Sequence, residues 1–443
     1  MASFHLISLG CPKNLVDSEL MFGLLEQAGW EFEEDPEQAS LLLVNTCGFI
    51  QSAVEEAIDE ILELSLLKQE DPGKFLVVTG CMVQRYQKEL VSELPEVDLF
   101  IGTDGFHQIV AQLATVMAGN LGDKVYIPER FLMDSTLPRR ISTPFYRSWL
   151  KITEGCNNRC SYCMIPSIRG ELRSRTIADL VRETGRLEHQ GVRELSLIAQ
   201  DLTAYGNDLG DSVHLTSLLK ALLAESTIPW IRLMYLYPSG IDESLLSLMA
   251  EQPRIVPYMD IPFQHVSDPV LQRMNRHYGS ADLYQLVARI RSYLPDVALR
   301  STMMVGFPGE TEDDVQQLAR FLREARLDHV GVFAYANEVG CPSENFSPQC
   351  SDEEKSERLD FILGVQAEVS AGILQKYVGR VEPVLVEGVS QETDLLLEGR
   401  TRFQAPDIDG CVYITDGIAN PGDIVQVRIT EAQVYDLVGE IVD

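Results

Sequence analysis

Glu154-Gly155-Cys156-Asn157-Asn158-Arg159-Cys160-Ser161-Tyr162-Cys163 carries three cysteines in a C-x3-C-x2-C pattern. A structural zinc site closes with four ligands, and the next histidine, His189, is too far along the chain to be a local fourth. Iron–sulfur clusters are held by cysteine thiolates, usually four. Three tightly spaced thiolates leave one iron of a 4Fe–4S cluster open to another ligand. The blander readings are a zinc knuckle completed from a distance, or three inert core thiols.

A second cysteine set lies upstream. Cys11 ends the apolar run Phe4-His5-Leu6-Ile7-Ser8-Leu9-Gly10, Cys47 follows Leu41-Leu42-Leu43-Val44-Asn45-Thr46, and Cys81 follows Phe75-Leu76-Val77-Val78-Thr79-Gly80. Each run is short and β-prone, and each precedes a segment with helical spacing, at 15–28, 53–67 and 84–94. Strands alternating with helices imply a parallel sheet, and ligands of such sheets bind at the carboxyl ends of the strands. The three cysteines are therefore expected to converge on one site. A single cysteine after a strand is usually a small core residue; three in the same position point to a second cluster.

Three units follow. Residues 1–118 form the first parallel α/β domain, with a fourth strand at 98–102. Residues 119–141, with Pro128, Pro138, Arg139 and Arg140, read as a linker. Residues 142–372 again alternate strand and helix, with strands expected at 149–153, 194–199, 230–235, 258–263, 299–305 and 329–335. Six βα units are too few for a closed eight-stranded barrel, so a partial (β/α)6 barrel is expected. Its carboxyl ends carry Cys156, then Gln200 and Asp201, then Gln264 and His265, then Gly306-Phe307-Pro308-Gly309-Glu310. Each of these after Cys156 has a bland reading: Gln200 and Asp201 as a loop cap, His265 as a satisfied buried histidine, and Gly306 as a tight turn before a helix capped by Thr311 and Asp314. From 375 to 443 short alternating runs separated by turns suggest about five strands in a small antiparallel β-barrel.

In this order of domains, and in both cysteine triplets, the whole chain resembles the radical S-adenosylmethionine (SAM) methylthiotransferases, whose C-terminal barrel is called the TRAM domain. The resemblance implies that Cys156, Cys160 and Cys163 hold a radical-SAM 4Fe–4S cluster whose open iron takes SAM. It implies an auxiliary 4Fe–4S cluster on Cys11, Cys47 and Cys81. SAM would serve as methyl donor and as source of a 5′-deoxyadenosyl radical, with Tyr162, Gln200, Asp201, Gln264 and Gly306 as candidate contacts and a separate electron donor reducing the cluster. Three segments look like the branch that modifies an aspartate β-carbon of small-subunit ribosomal protein number twelve, free or on the assembling ribosome. These are Gly10-Cys11-Pro12-Lys13-Asn14-Leu15-Val16-Asp17-Ser18-Glu19, Ile165-Pro166-Ser167-Ile168-Arg169-Gly170, and Gln200-Asp201-Leu202-Thr203-Ala204-Tyr205-Gly206. Cys341 departs from the family, which commonly has Thr there.

Composition agrees. The 443 residues leave room for two to four domains. Nine cysteines, six of them in cluster sets, do not read as a disulfide scaffold. No signal peptide or membrane span is legible, which places the protein in the cytoplasm. The net charge of −31 disfavours nucleic acid as substrate, since phosphate contact requires clustered Lys and Arg, and favours a basic partner. Residues 378–443 hold four Arg, no Lys and thirteen Asp plus Glu. The turn acids Glu392, Asp394, Asp407 and Asp409 are the expected docking face. Two rivals stay open: a tRNA adenosine methylthiotransferase, which would need a local basic strip such as Arg169, Arg173 and Arg175, and a non-enzymatic iron–sulfur or zinc protein.

Overall fold

The computed structural model describes residues 2–120 and 122–442. The first domain is a six-stranded parallel sheet of β1 (Ser3–Ser8), β2 (Glu31–Phe32), β3 (Leu41–Thr46), β4 (Phe75–Gly80), β5 (Leu99–Gly102) and β6 (Val125–Tyr126), in the order β2-β1-β3-β4-β5-β6. Central β3 is buried along its whole length, as a parallel strand covered on both faces must be. Register aligns Ser8 with Asn45 and Asn45 with Thr79, so β1, β3 and β4 end level.

Three details differ from expectation. The span 119–141 is no free tether: it supplies the edge strand β6 and packs between the domains. Arg139 sits 2.7 Å from Glu19 of the first domain and 2.6 Å from Glu183 of the second. Proline and charge content marked it as irregular but could not show that its charges are buried. The helix expected at 84–94 is two short ones, Cys81–Tyr86 and Glu89–Glu93, because Gln87 turns left-handed at φ 51. The two-residue edge strand β2 carries no periodic signal.

The second domain holds β7 (Arg147–Lys151), β8 (Thr153–Glu154), β9 (Arg173–Ser174), β10 (Glu194–Ile198), β11 (Trp230–Leu233), β12 (Ile255–Asp260), β13 (Ala298–Val305) and β14 (His329–Ala334). β14-β13-β12-β11-β10-β7 form an open parallel sheet, and β8 pairs with β9 in a separate hairpin. β12 stops before the expected 263, since Pro262 has no N–H for the ladder. Helices cover the outer face, burying Leu180, Leu219, Leu246, Val287 and Leu318.

The inner face is filled from other domains. Trp149, Ile198, Trp230 and Tyr258 share one apolar core with Val16 and Phe106 of the first domain and with Val384, Val386 and Val427 of the third. The third domain is a closed barrel of β15 (Val381–Val389), β16 (Leu397–Thr401), β17 (Val412–Asp416), β18 (Ile424–Ala432) and β19 (Leu437–Ile441), in the order β15-β16-β17-β19-β18. Four of its seams are antiparallel as expected, and the β17–β19 seam is parallel for a topological reason. An odd number of strands cannot alternate direction around a closed ring.

This barrel docks mainly at the amino-terminal halves of the second sheet's strands. Asp409 accepts from Tyr258 Oη at 2.7 Å and from the Ala405 amide at 2.8 Å, and Arg147 grips Asp407 with two bonds of 2.8 Å. Two of the four acids expected to face a partner therefore hold the domains together; Glu392 and Asp394 stay exposed. Among the described residues no helix is long and apolar enough to cross a membrane.

Candidate functional site

Cys11, Cys47 and Cys81 leave the level ends of β1, β3 and β4. At Gly10 (φ +88) an added Cβ would stand 2.8 Å from Cys47 Cβ, so the loops approach closely only because this residue is glycine. Cys11 is the N-cap of α1 (Pro12–Gln27), whose positive end favours a negatively charged neighbour. Burial raises the Cys47 thiol, with Cys11 adding to it. Burial pushes Cys81 to about 12, opposed by Arg169 and reinforced by Cys11 and Cys47. The three thiols thus sense one another, and they become ligands when bound metal displaces their protons.

The second triplet lies in the loop that the β8–β9 hairpin closes. Gly155 has φ +76, and a Cβ there would lie 2.1 Å from the Glu171 carbonyl oxygen. The Cys156 amide donates to the Gly170 carbonyl at 3.0 Å, the Cys163 amide to the Cys160 carbonyl at 3.1 Å, and the Ser161 amide to the Met274 carbonyl at 3.0 Å. Burial pushes Cys156 to about 11 and raises Cys163, where Cys160 reinforces it. Among the described residues no three His, Cys, Asp or Glu side chains are drawn together as for a single metal ion. In each place the donor set is three thiols, the ligand type that iron–sulfur clusters take.

The segments that carry the two triplets touch at Cys81. Cys81, Met164, Ile168 and Cys341 form one buried apolar cluster with Phe49 against it. Arg169 Nη2 donates to Cys81 Sγ at 3.3 Å and to Asn14 Oδ1 at 3.2 Å. Its Nη1 lies 2.7 Å from Asp17 and 3.3 Å from Glu154. Lys151 bonds Asp17 and lies 2.8 Å from Glu154, and Gln200 Nε2 donates to Glu154 at 3.1 Å. Burial disfavours the Glu154 charge, but Lys151 and Arg169 outweigh it and hold the carboxyl down at about 2. The three segments that sequence singled out thus meet in one buried network, through Asn14 and Asp17, Arg169, and Gln200.

The proposed SAM contacts fare unequally. Gln200 keeps a buried Oε1 without a partner. Asp201 caps the turn Leu202–Ala204 and accepts from Asn158 of the cysteine loop at 2.7 Å, which realises its bland reading as a cap. Gln264 is held at φ 71, its amide bonded to the Thr302 carbonyl at 2.8 Å. The Gly306 amide donates to both Glu310 oxygens at 3.0 Å. Tyr162 packs against Val270, Met274, Phe307 and Tyr335. His265 is fully buried, with Nδ1 accepting from the Ser267 amide at 2.9 Å; its Nε2 has no hydrogen-bond partner among the described residues and lies 3.5 Å from Glu310, so it is only half satisfied.

Sequence reading missed two cations here. Arg276 is buried with its guanidinium 4.8 and 5.6 Å from the Tyr237 and Tyr278 ring centroids and its Nε unpartnered; Cys160 is among the charges that act on it. Lys13 lies inside a quoted segment but had no role. Its Nζ stands 3.0 Å from the Tyr235 ring centroid, and burial pushes its ammonium down to about 8 against the pull of Cys11 and Asp260. Lys13 depends on Tyr235 from far along the chain; Arg276 depends on nearby Tyr278 and on Tyr237, 39 residues upstream.

Three family descriptions match in tandem: "Uncharacterized protein family UPF0004" at residues 3–102, "Radical SAM superfamily" at 150–322 and "TRAM domain" at 378–442. The chain is 59% identical over 439 residues to the ribosomal protein uS12 methylthiotransferase RimO of Desulfotalea psychrophila, covering 99% of each. It is 48% identical to the protein of that name from Geotalea uraniireducens, covering 99% of this chain and 98% of that one. Among solved structures, the radical SAM methyltransferase TsrM of Kitasatospora setae, with cobalamin and a [4Fe-4S] cluster bound, matches with TM-score 0.56 at 17% identity, covering 86% of this chain and 81% of that one; at that identity the likeness is one of fold. Identity of this level from end to end, over all three matched regions, makes the chain a member of the radical-SAM methylthiotransferase family.

Proposed function

We propose that this protein transfers a methylthio group to the β-carbon of an aspartate in ribosomal protein uS12. Cys156, Cys160 and Cys163 would hold the radical-generating cluster, and Cys11, Cys47 and Cys81 an auxiliary one. The observation that carries this reading is the buried network of Asn14, Asp17, Lys151, Glu154, Arg169 and Gln200, which ties the loops of both triplets into one chamber.

That chemistry lies beyond a side-chain base. The β-carbon sits beside a carboxylate, its proton is barely acidic, and general acid–base catalysis contributes only about 10²–10⁴-fold. When bound, the clusters and SAM supply hydrogen-atom abstraction and the methylthio group, as cofactors do for hard steps. The protein's own part is geometric. Arg169 and Lys151 fix the first domain against the second, and the apolar contact of Cys81 with Met164 and Cys341 joins the two segments at the buried side of the first set. An electron donor and a reducing cytoplasm complete the scheme.

Charge supports a protein substrate over tRNA. The strip of Arg169, Arg173 and Arg175 is spent internally: Arg175 lies 2.7 Å from Asp179 and 2.6 Å from Glu183, and Arg173 lies 3.3 Å from Asp104. In the barrel, Arg400 lies 2.6 Å from Glu194. Few cations are left for phosphates. The test is anaerobic reconstitution with iron, sulfide, reductant and SAM, offering uS12 and tRNA side by side. Mass analysis should find the methylthio group on uS12; its appearance on tRNA alone would move the protein to the tRNA branch.

A further inference from the structure

Lys13 is 93% removed from solvent (7% exposed), yet among the described residues its ammonium makes no hydrogen bond or ion pair. Burying an unpaired charge is costly, and such groups are normally matched. The neighbouring cations are paired: Lys151 and Arg169 with Asp17 and Glu154, and Arg300 with Asp260 at 2.9 Å and Asp409 at 3.5 Å. Among the described residues Lys13 is the cation of this group without an ion pair. It lies two residues after Cys11, on the side of the first domain that meets the second.

Its one close neighbour is unusual as well. Tyr235, just past the carboxyl end of β11, has φ +61, a region that bulky residues seldom adopt. The Tyr235 amide donates to Asp260 at 3.0 Å and its carbonyl accepts from the Leu202 amide at 2.9 Å, so the strained backbone is held from both sides. That conformation brings the ring under Lys13 Nζ, which a cation–π contact then fixes. The second domain thus holds a strained residue where it places an ammonium that no carboxylate among the described residues pairs directly.

We propose that Lys13 receives the side-chain carboxylate of the substrate aspartate and so positions the adjoining β-carbon between the two cysteine sets. This rests on the reading given under Proposed function. The reacting carbon is bonded directly to the carboxylate carbon, so anchoring the carboxylate fixes the carbon to within one bond. A charge-assisted contact in a water-poor site also separates aspartate from asparagine, which has the same shape and no charge.

The test is a double-substitution cycle on the reconstituted holoenzyme. Binding and methylthio transfer are measured for uS12 carrying its target aspartate and for uS12 with asparagine there, using the wild type, Lys13→Met and Lys13→Arg. The wild type should prefer the aspartate form by about tenfold or more. Lys13→Met should reduce that preference to within about twofold, and Lys13→Arg should keep part of it. Iron content per chain separates substrate binding from support of the auxiliary cluster. A Lys13→Met enzyme that keeps the full preference, that loses iron, or that loses only SAM affinity would overturn the proposal. A wild type that leaves uS12 unmodified would instead remove the functional reading itself.

Discussion

Glu194→Gln isolates the contact that docks the C-terminal barrel. Glu194 and Arg232 are both fully buried, with Arg232 Nε 2.6 Å from the carboxylate. Arg400 reaches the other oxygen at 2.6 Å and also has Glu387 at 3.0 Å. Among the described residues Arg232 has no second acid; its other supports are the Arg402 carbonyl, which accepts from Nη1 at 3.0 Å, and the Tyr258 ring, 4.7 Å from the guanidinium. Gln keeps the shape and removes the charge, so the cost is that of one orphaned guanidinium. Breaking a buried pair from one side costs about 3–5 kcal/mol. The carboxyl itself leads to a similar figure. Burial opposes its ionisation, but Arg400 and Arg232 carry it from 4.5 down to about 2, which at 1.36 kcal/mol per unit is roughly 3 kcal/mol. Since about 1.4 kcal/mol is tenfold, the opening constant of the barrel against the sheet should rise by at least about a hundredfold. Native-state hydrogen exchange of the β15–β19 amides reads that constant directly. Glu194→Gln combined with Arg232→Met removes both charges and should be less damaging than Glu194→Gln alone. A single variant within about 0.5 kcal/mol of wild type, or a double variant that equals the sum of the singles, would refute the reasoning.

Three further outcomes follow from the same contacts. Because the folded pKa of Glu194 is depressed, its contribution is complete above 4.5 and is lost as pH falls through about 2; the barrel's opening constant, obtained by dividing exchange by its intrinsic rate at each pH, should rise across that acid window while the Glu194 contribution stays constant from pH 5 to 8. Cys156→Ala, Cys160→Ala or Cys163→Ala should each abolish 5′-deoxyadenosine formation, whereas joint replacement of Cys11, Cys47 and Cys81 should remove one cluster's iron and stop methylthio transfer while some SAM cleavage persists. Unchanged iron in that triple variant would make the second set ordinary core cysteines. Arg169→Met leaves Asp17 and Glu154 sharing Lys151 alone, so urea denaturation should show a loss of about 3 kcal/mol and limited proteolysis should cut sooner within 119–141.

How much of this was legible in the sequence follows the range of the forces involved. β3 and β4 were readable because continuous apolar runs are what a doubly covered parallel strand requires, and the cysteines after them inherited their placement from the register. The end of β12 depended on a single proline, and the split at Gln87 on one left-handed residue, which averages over a window conceal. The six cysteines carried their spacing or their position with them. Lys13 and Arg276 did not, because a lysine or arginine is defined as a site by what surrounds it: Tyr235 of the second domain for Lys13, and Tyr237 and Tyr278 of its own domain for Arg276.

Charge shows the same divide and bears on the partner. In sequence, Arg169, Arg173 and Arg175 read as a strip for phosphates, and Asp407 and Asp409 as free turn acids. In the fold both sets are consumed: Arg169 and Arg173 against Asp17 and Asp104 of the first domain, Arg175 against Asp179 and Glu183 within the second, and the aspartates against Arg147, Tyr258 and Arg300. Such pairs use acids and bases in similar numbers, so they leave the surplus of 67 acids over 36 bases for the rest of the molecule. With fewer cations at the surface than the count alone implies, the outer face repels a phosphate backbone and attracts a basic protein. Steering of that kind weakens as salt screens it, while the anchoring assigned to Lys13 lies in a buried pocket that salt screens less. Association of uS12 should therefore slow with rising ionic strength, whereas discrimination between aspartate and asparagine should hold nearly constant.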